Sequence, residues 1–314
     1  MKSGITLAAA LLLASGAGSG AQERLYEIGD TVRIGGGVGY TFINADEFVY
    51  DTSGNRISHL LWESRSPAVN AKVEADLSSG WSLRAGATFA FSGMSMMRDY
   101  DWVPPYLVSY DFDDWTHRSE HRDTRLAHYF SGDIAVGKNL SLGPAAAINL
   151  HGGVSYTNVK WDAYGGTYVY SETGYRANIG RFPDGPGISF QQRYPGVFLG
   201  ASLAARRGAW TFSGQVRGGA SIGASDTDHH WMTGTRFEDR YGVTPFATAA
   251  ARVDYAVSDR TSLFLGGDFQ QFFRVIGDTT EHRISTGDPY KTTINSAGMA
   301  LRSITVSGGF RMAF

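Results

Sequence analysis

The feature that most constrains this chain is a period of two. In residues 81–91, Trp81, Leu83, Ala85, Ala87, Phe89 and Phe91 fall on one face of an extended strand, and Ser82, Arg84, Gly86, Thr88 and Ala90 on the other. Val69, Ala71, Val73, Ala75 and Leu77 alternate in the same way with Asn70, Lys72, Glu74 and Asp76. The pattern recurs in 247–257, in 261–275 and in the last run, where Ile304, Val306, Phe310, Met312 and Phe314 oppose Thr305, Ser307 and Arg311. Successive side chains of a strand point to opposite faces, so each segment has one apolar face and one that carries polar or ionisable groups. Roughly ten residues of such alternation, with aromatics near the segment ends, are the signature of a transmembrane β-barrel. A soluble β-sandwich also alternates, but its strands usually run about five or six residues and turn their polar face to water. Segment length and the interleaved charges favour the barrel.

The segments number ten, near 31–49, 59–78, 80–92, 124–138, 140–164, 188–206, 209–225, 242–257, 260–276 and 293–314. Four connections read as tight turns: Leu77-Ser78-Ser79-Gly80, Gly137-Lys138-Asn139, Arg206-Arg207-Gly208 and Ser258-Asp259-Arg260. Long polar stretches, near 50–58, 93–123, 165–187, 226–241 and 277–292, alternate with them. The expected fold is therefore all-β, a ten-stranded antiparallel up-and-down transmembrane barrel with short periplasmic turns and long extracellular loops. Inward Lys72, Glu74, Asp76, Arg84, Asp133, Arg252, Asp254, Asp268 and Arg274 should pair in the lumen, because unpaired buried charges are costly, giving a plugged barrel and not a pore.

Lys2, the apolar run Ile5 to Ala14 and the small residues ending Ser19-Gly20-Ala21 have the order of a secretory signal peptide, residues 1–21, leaving 22–314 as one barrel domain. No later segment has the roughly 18 apolar residues of a spanning helix. With 28 Lys+Arg against 30 Asp+Glu there is no cationic excess for nucleic acid. The absence of cysteine removes disulfides and thiolate chemistry.

Two motifs in the long polar stretches carry possible chemistry: Met97-Arg98-Asp99-Tyr100-Asp101-Trp102 and Ser225-Asp226-Thr227-Asp228-His229-His230-Trp231. Residues two apart on an extended chain share a side, so Asp99 with Asp101, and Asp228 with His230, each aim into one cleft. A carboxylate beside an imidazole orients it and raises its proton affinity, which suits it as a general base toward water. Two close carboxylates cannot both ionise easily, so one keeps a proton to donate. Such a set describes a hydrolase without a protein nucleophile. Solvated loops often contain the same spacings, and Asp226, Asp228, His229 and His230 are also candidate metal ligands, although adjacent histidines on a strand point opposite ways. Parity sets a condition. All four residues continue the lipid-facing parity of their strands, so they face a cleft only if the chain there is beyond the membrane band or a bulge resets the register, with Gly93 and Gly218-Gly219 as candidate sites.

These motifs, with Trp115-Thr116, Asp123-Thr124, Gly165-Gly166-Thr167-Tyr168-Val169-Tyr170, Gly174-Tyr175-Arg176 and Phe182-Pro183-Asp184-Gly185, resemble the omptin family of outer-membrane proteases over nearly the whole mature chain. The terminal Phe314 is similarly like the C-terminal signal of such barrels. The resemblance implies an endopeptidase in the outer membrane of a Gram-negative bacterium, its active site facing outside. Asp228 and His230 would activate water, with Asp99 and Asp101 opposite. It implies basic peptide or protein substrates, cleaved at Arg or Lys and often between two of them, with Glu47 and Asp226 as the acidic residues that receive the basic side chain. It implies no metal and no cofactor beyond lipopolysaccharide, for which Arg193 matches a binding position. Asn158 and Tyr156 depart from the family's lipid site, where Lys160 on the same face offers a substitute. Ser119 matches a family serine and reads as structural; His117, His121 and His128 read as polar loop groups. The competing reading is a barrel that acts through its loops as a non-proteolytic or weakly proteolytic adhesin or receptor. Nothing points beyond a monomer.

Overall fold

A computed structural model describes residues 31–314, so the signal peptide expected over 1–21 and the start of the barrel domain at 22 lie outside the described residues. The strands are β1 (Thr31–Tyr50), β2 (Arg56–Asp76), β3 (Trp81–Ala90), β4 (Met94–Asp101), β5 (His117–Gly143), β6 (Ala146–Tyr164), β7 (Thr167–Tyr170), β8 (Asn178–Arg181), β9 (Pro186–Arg207), β10 (Trp210–Ile222), β11 (Ser225–His230), β12 (Thr235–Tyr241), β13 (Val243–Ala256), β14 (Thr261–Arg283) and β15 (Pro289–Ala313). Every pairing is antiparallel, and β15 closes the sheet on β1. β3 with β4, β10 with β11, and β12 with β13 are each one wall strand interrupted by a register shift, which makes ten staves. β7 and β8 form a hairpin added to the top of β5.

Closure leaves no open edge in the barrel wall, and the alternating faces settle in the expected sense. Val38, Val73, Leu83, Ile134, Val154, Leu199, Val216, Leu265 and Val306 are exposed on the outer wall. Trp81, Trp210, Tyr255 and Phe310 ring its turn end, while Tyr40, Phe89, Phe91, Tyr156 and Phe273 ring the other, as membrane girdles do. Inside, Arg33 pairs with Asp76 (2.6 Å) and Glu74 (3.4 Å), Arg217 with Asp133 (3.0 Å), and Arg252 with Asp254 (2.9 Å). Asp268, Lys72 and Arg84 line a lumen cavity of about 150 Å³ among these groups. Arg274 is a correction. It lies in a bulge of β14 and places its guanidinium 5.3 Å from the centre of the Phe48 ring, outside the lumen network. Above the charges, Trp62, Trp161 and Phe190 stack at 5.4 to 6.5 Å and Tyr194 lies on Phe272 at 4.0 Å, all fully buried. This aromatic layer is the plug.

One expectation about connections is overturned, and the long stretches prove to be part strand. Gly137-Lys138-Asn139 is inside β5, where Gly137 pairs with Ser82 and His151. Its lack of a side chain makes room for Asn149, whose amide would lie 2.8 Å from a Cβ there. The turn falls instead between Gly143 and Ala146, at Pro144. Strand runs into the long polar stretches, over 94–101, 117–123, 226–230, 235–241 and 277–283 among others. β5 runs 27 residues, β15 25 and β14 23, whereas about ten suffice to cross a bilayer. The barrel thus rises well beyond the membrane, and its acidic motifs sit on rigid ladders.

The parity condition is met by bulges at that boundary. Ala68 pairs with Ala90 but Arg65 with Met94, so four steps on β3–β4 match three on β2. Ser92 (φ 63°) and Gly93 (φ 93°) absorb the extra residue. On the opposite wall Ser221 pairs with Gly196 and Ser225 with Arg193, again four steps against three. That shift is at Gly223 (φ 73°), not at Gly218-Gly219, which stay in register with Leu199 and Phe198. A Cβ on Gly219 would meet the Phe246 ring at 2.6 Å, so this glycine serves packing. Each one-residue shift turns the following strand's inward face over.

Candidate active site

β4 and β11 stand on opposite walls above the aromatic plug. On β4, Asp99 lies between Leu60 and Ser119 in the ladder, and Asp101 between Ser58 and His117. Ser58 Oγ donates to Asp99 Oδ1 at 3.1 Å. Burial, then the charge of Asp101, holds the Asp99 carboxyl well above the usual range. Burial lifts Asp101 to about 6, although Ser58 and the charge of His230 pull it down. One proton therefore stays on this pair at neutral pH.

On β11, the His230 Nε2–H donates to Asp228 Oδ2 at 2.6 Å. Burial opposes charge on the ring, but the charge and hydrogen bond of Asp228, with Asp99 and Asp101 across the cleft, raise it to about 9. The Phe237 ring packs edge-on at 5.1 Å and fixes the imidazole plane. Asp99, Asp101, Asp228 and His230 thus share one electrostatic cavity, as the two sequence motifs require. Because Nε2 donates to Asp228, the neutral ring presents Nδ1 as its proton acceptor.

Glu47 on β1 and Asp226 on β11 join the same cavity. Both are buried, and each is pushed up first by burial and then by neighbouring carboxylates. Trp62 Nε1 of the plug donates to Glu47 Oε2 at 3.4 Å. Arg193 is not part of this set. It faces outward on β9, where its guanidinium donates to Thr227 Oγ1 at 3.0 Å and to Gln191 Oε1 at 2.5 Å. Next to it Asn158 Oδ1 accepts from Gln191 (2.9 Å) and meets His128 Nε2 (2.9 Å), while Lys160 is 3.8 Å from Asp162.

Several neighbours escaped the sequence reading. Ser58 has no motif around it, and only the ladder brings it to the acids. Asp239 and Tyr241 on β12 face the cavity beside Asp226, and the mirror positions of Asp226 and Asp239 about the 231–234 turn were the available signal. His121 is a buried strand residue, not a loop group, with Nε2 3.1 Å from Ser119 Oγ. His117 and His128 are likewise on β5. Among the described residues, no three His, Asp or Glu side chains are grouped to hold a metal ion.

Comparison with known proteins gives the family and the fold. "Protease 7" of Escherichia coli K12 is 26% identical over 275 residues, covering 85% of this chain and 84% of that protein. "Plasminogen activator" of Yersinia pestis is 24% identical over 320 residues, covering 100% of both. The crystal structure of the outer-membrane protease OmpT from Escherichia coli superposes with a TM-score of 0.84 at 23% identity, covering 94% of this chain and 100% of that one. The Omptin family model matches residues 28–314. With a family match that spans the barrel and an OmpT-like fold, the chain belongs to the Omptin family.

Proposed function

We propose that this outer-membrane protease is an endopeptidase that cleaves after Arg or Lys by direct attack of water. The observation that chiefly supports it is the 2.6 Å contact between Asp228 and His230, in one buried cavity with the Asp99–Asp101 pair. Neutral His230 takes a proton from water at Nδ1 while Asp228 holds the ring and balances the charge that forms. The proton kept on the Asp99–Asp101 pair is donated toward the scissile carbonyl oxygen, where negative charge develops; as the carbonyl reforms, that proton returns to the pair, the C–N bond breaks and the amine leaves with the proton His230 took from water. Glu47 and Asp226 receive the basic side chain, since no Lys or Arg among the described residues forms an ion pair with either. Outward Arg193, just above the apolar band, fits a lipopolysaccharide phosphate, with Lys160 nearby.

The test is digestion of a dibasic peptide by the refolded barrel with lipopolysaccharide, the cut mapped by mass spectrometry. A cut on the carboxyl side of Arg or Lys, insensitive to chelator, is expected; cuts indifferent to the basic residue contradict it. An adhesin reading predicts instead that cell or matrix binding survives Asp99→Ala with no proteolysis in the wild type.

A further inference from the structure

Asp239 belongs to none of the motifs above, yet it closes the floor of the cavity. It faces Asp226 directly across the β11–β12 ladder and Thr279 across the β12–β14 ladder. Tyr241 OH donates to Asp226 Oδ2 at 2.7 Å and lies 3.5 Å from Asp239 Oδ2, so one hydroxyl serves two carboxylates. Their other oxygens, Asp226 Oδ1 and Asp239 Oδ1, are buried without any hydrogen-bond partner. Asp226 is 1% exposed, Asp239 5% and Glu47 5%. Buried carboxylate oxygens are nearly always satisfied, so two facing acids whose free oxygens have no donor except a proton shared between them form a site for donors that arrive from outside.

We propose that Asp239 is a third acid of the substrate-side-chain pocket, and that Asp226 and Asp239 together grip a guanidinium, making the pocket select Arg over Lys. This rests on the reading of Glu47 and Asp226 as the receptor for a basic residue. The selection follows from donor geometry. A guanidinium is a planar fork with five N–H groups and can give a separate hydrogen bond to each of two facing carboxylates, whereas an ammonium is a point charge with three. The charge balance also closes. In the empty pocket Asp226 and Asp239 share a proton between facing oxygens, with Glu47, Asp228, Tyr241 and Thr279 as the surrounding polar groups. The entering guanidinium displaces that proton to solvent.

The experiment compares wild type and Asp239→Asn on three peptides that differ only in Arg, Lys or citrulline before the cut, with titration of agmatine and butylamine as side-chain probes. Asparagine keeps the shape and removes one buried charge, so the variant is expected to fold. The expected result is a loss of about tenfold in kcat/KM for the Arg peptide, carried by KM, with a smaller loss for Lys, so that the Arg/Lys ratio collapses. Agmatine binding weakens in parallel and butylamine binding changes little. An unchanged Arg/Lys ratio in an active variant overturns the role of Asp239 while leaving the protease reading intact. If the wild type cleaves none of the three peptides, the protease reading fails, and agmatine then decides alone: weaker binding in Asp239→Asn supports the guanidinium pocket, and equal binding overturns it.

Discussion

Asp228 Oδ2 and His230 Nε2 are 2.6 Å apart, two residues along one strand and inside the barrel's upper cavity. That contact makes the imidazole both oriented and more basic, held at about 9. A base must be neutral to accept a proton, so kcat/KM should climb through neutral pH with its ascending limb on the alkaline side. Asp228→Asn removes the chief groups that raise the ring. It should move the limb to lower pH and cut the maximal rate by about 10²-fold or more. An ascending limb that stays in place in this variant contradicts the pairing.

Ser58 is the donor to Asp99, at 3.1 Å, and bears on Asp101 as well. Ser58→Ala should raise the proton affinity of the acid pair and lower kcat by roughly threefold to tenfold, the worth of one ordinary hydrogen bond, with KM little changed. Steady-state kinetics on a dibasic peptide separates the two parameters.

The cleft should be more stable at mildly acidic pH. Asp101 (about 6), Asp239 (about 7) and His230 (about 9) all have folded-state values above their ordinary ones. Groups shifted upward favour folding while protonated. The acids' contribution is full near pH 4 and is lost as pH rises through about 6 to 7; that of His230 is full below about 6.5 and is lost through about 9. Hydrogen exchange of β11 and β12 amides, corrected for intrinsic rates, should show more protection at pH 5.5 than at pH 9, and less difference in Asp239→Asn.

Gly93 carries the register shift that turns Asp99 and Asp101 inward. Its φ is 93°, and a Cβ would lie 2.3 Å from Arg65 O. Gly93→Ala should cost about 1–3 kcal/mol locally and displace β4. Activity should fall far more than the barrel's resistance to heat in detergent, since the membrane band below keeps its ladder.

The sequence makes legible whatever depends on a regular period. Val69 to Leu77 and Trp81 to Phe91 are lipid-facing as their alternation predicts, and Asp99, Asp101, Asp228 and His230 meet because paired positions share a side. What escapes it is set by partners distant in sequence. Gly137 reads as a turn and is a space for Asn149; Gly218-Gly219 reads as a bulge and stays in register, with Gly219 a space for Phe246. Residues 226–241 read as a loop because polar residues dominate, yet 225–230 and 235–241 pair as the strands β11 and β12, with Asp226, Asp228 and Asp239 buried between the walls. Asp239 carries only the signal of its mirror position to Asp226 about the 231–234 turn, and the ladder is what makes that signal readable.

The most direct measurement is the rate of hydrolysis of a dibasic fluorogenic peptide by wild type, His230→Ala and Asp101→Ala, each refolded with lipopolysaccharide and each shown by heat-modifiable gel mobility to be a closed barrel. The account predicts losses of about 10²–10⁴-fold in both variants. Full activity in either one contradicts it.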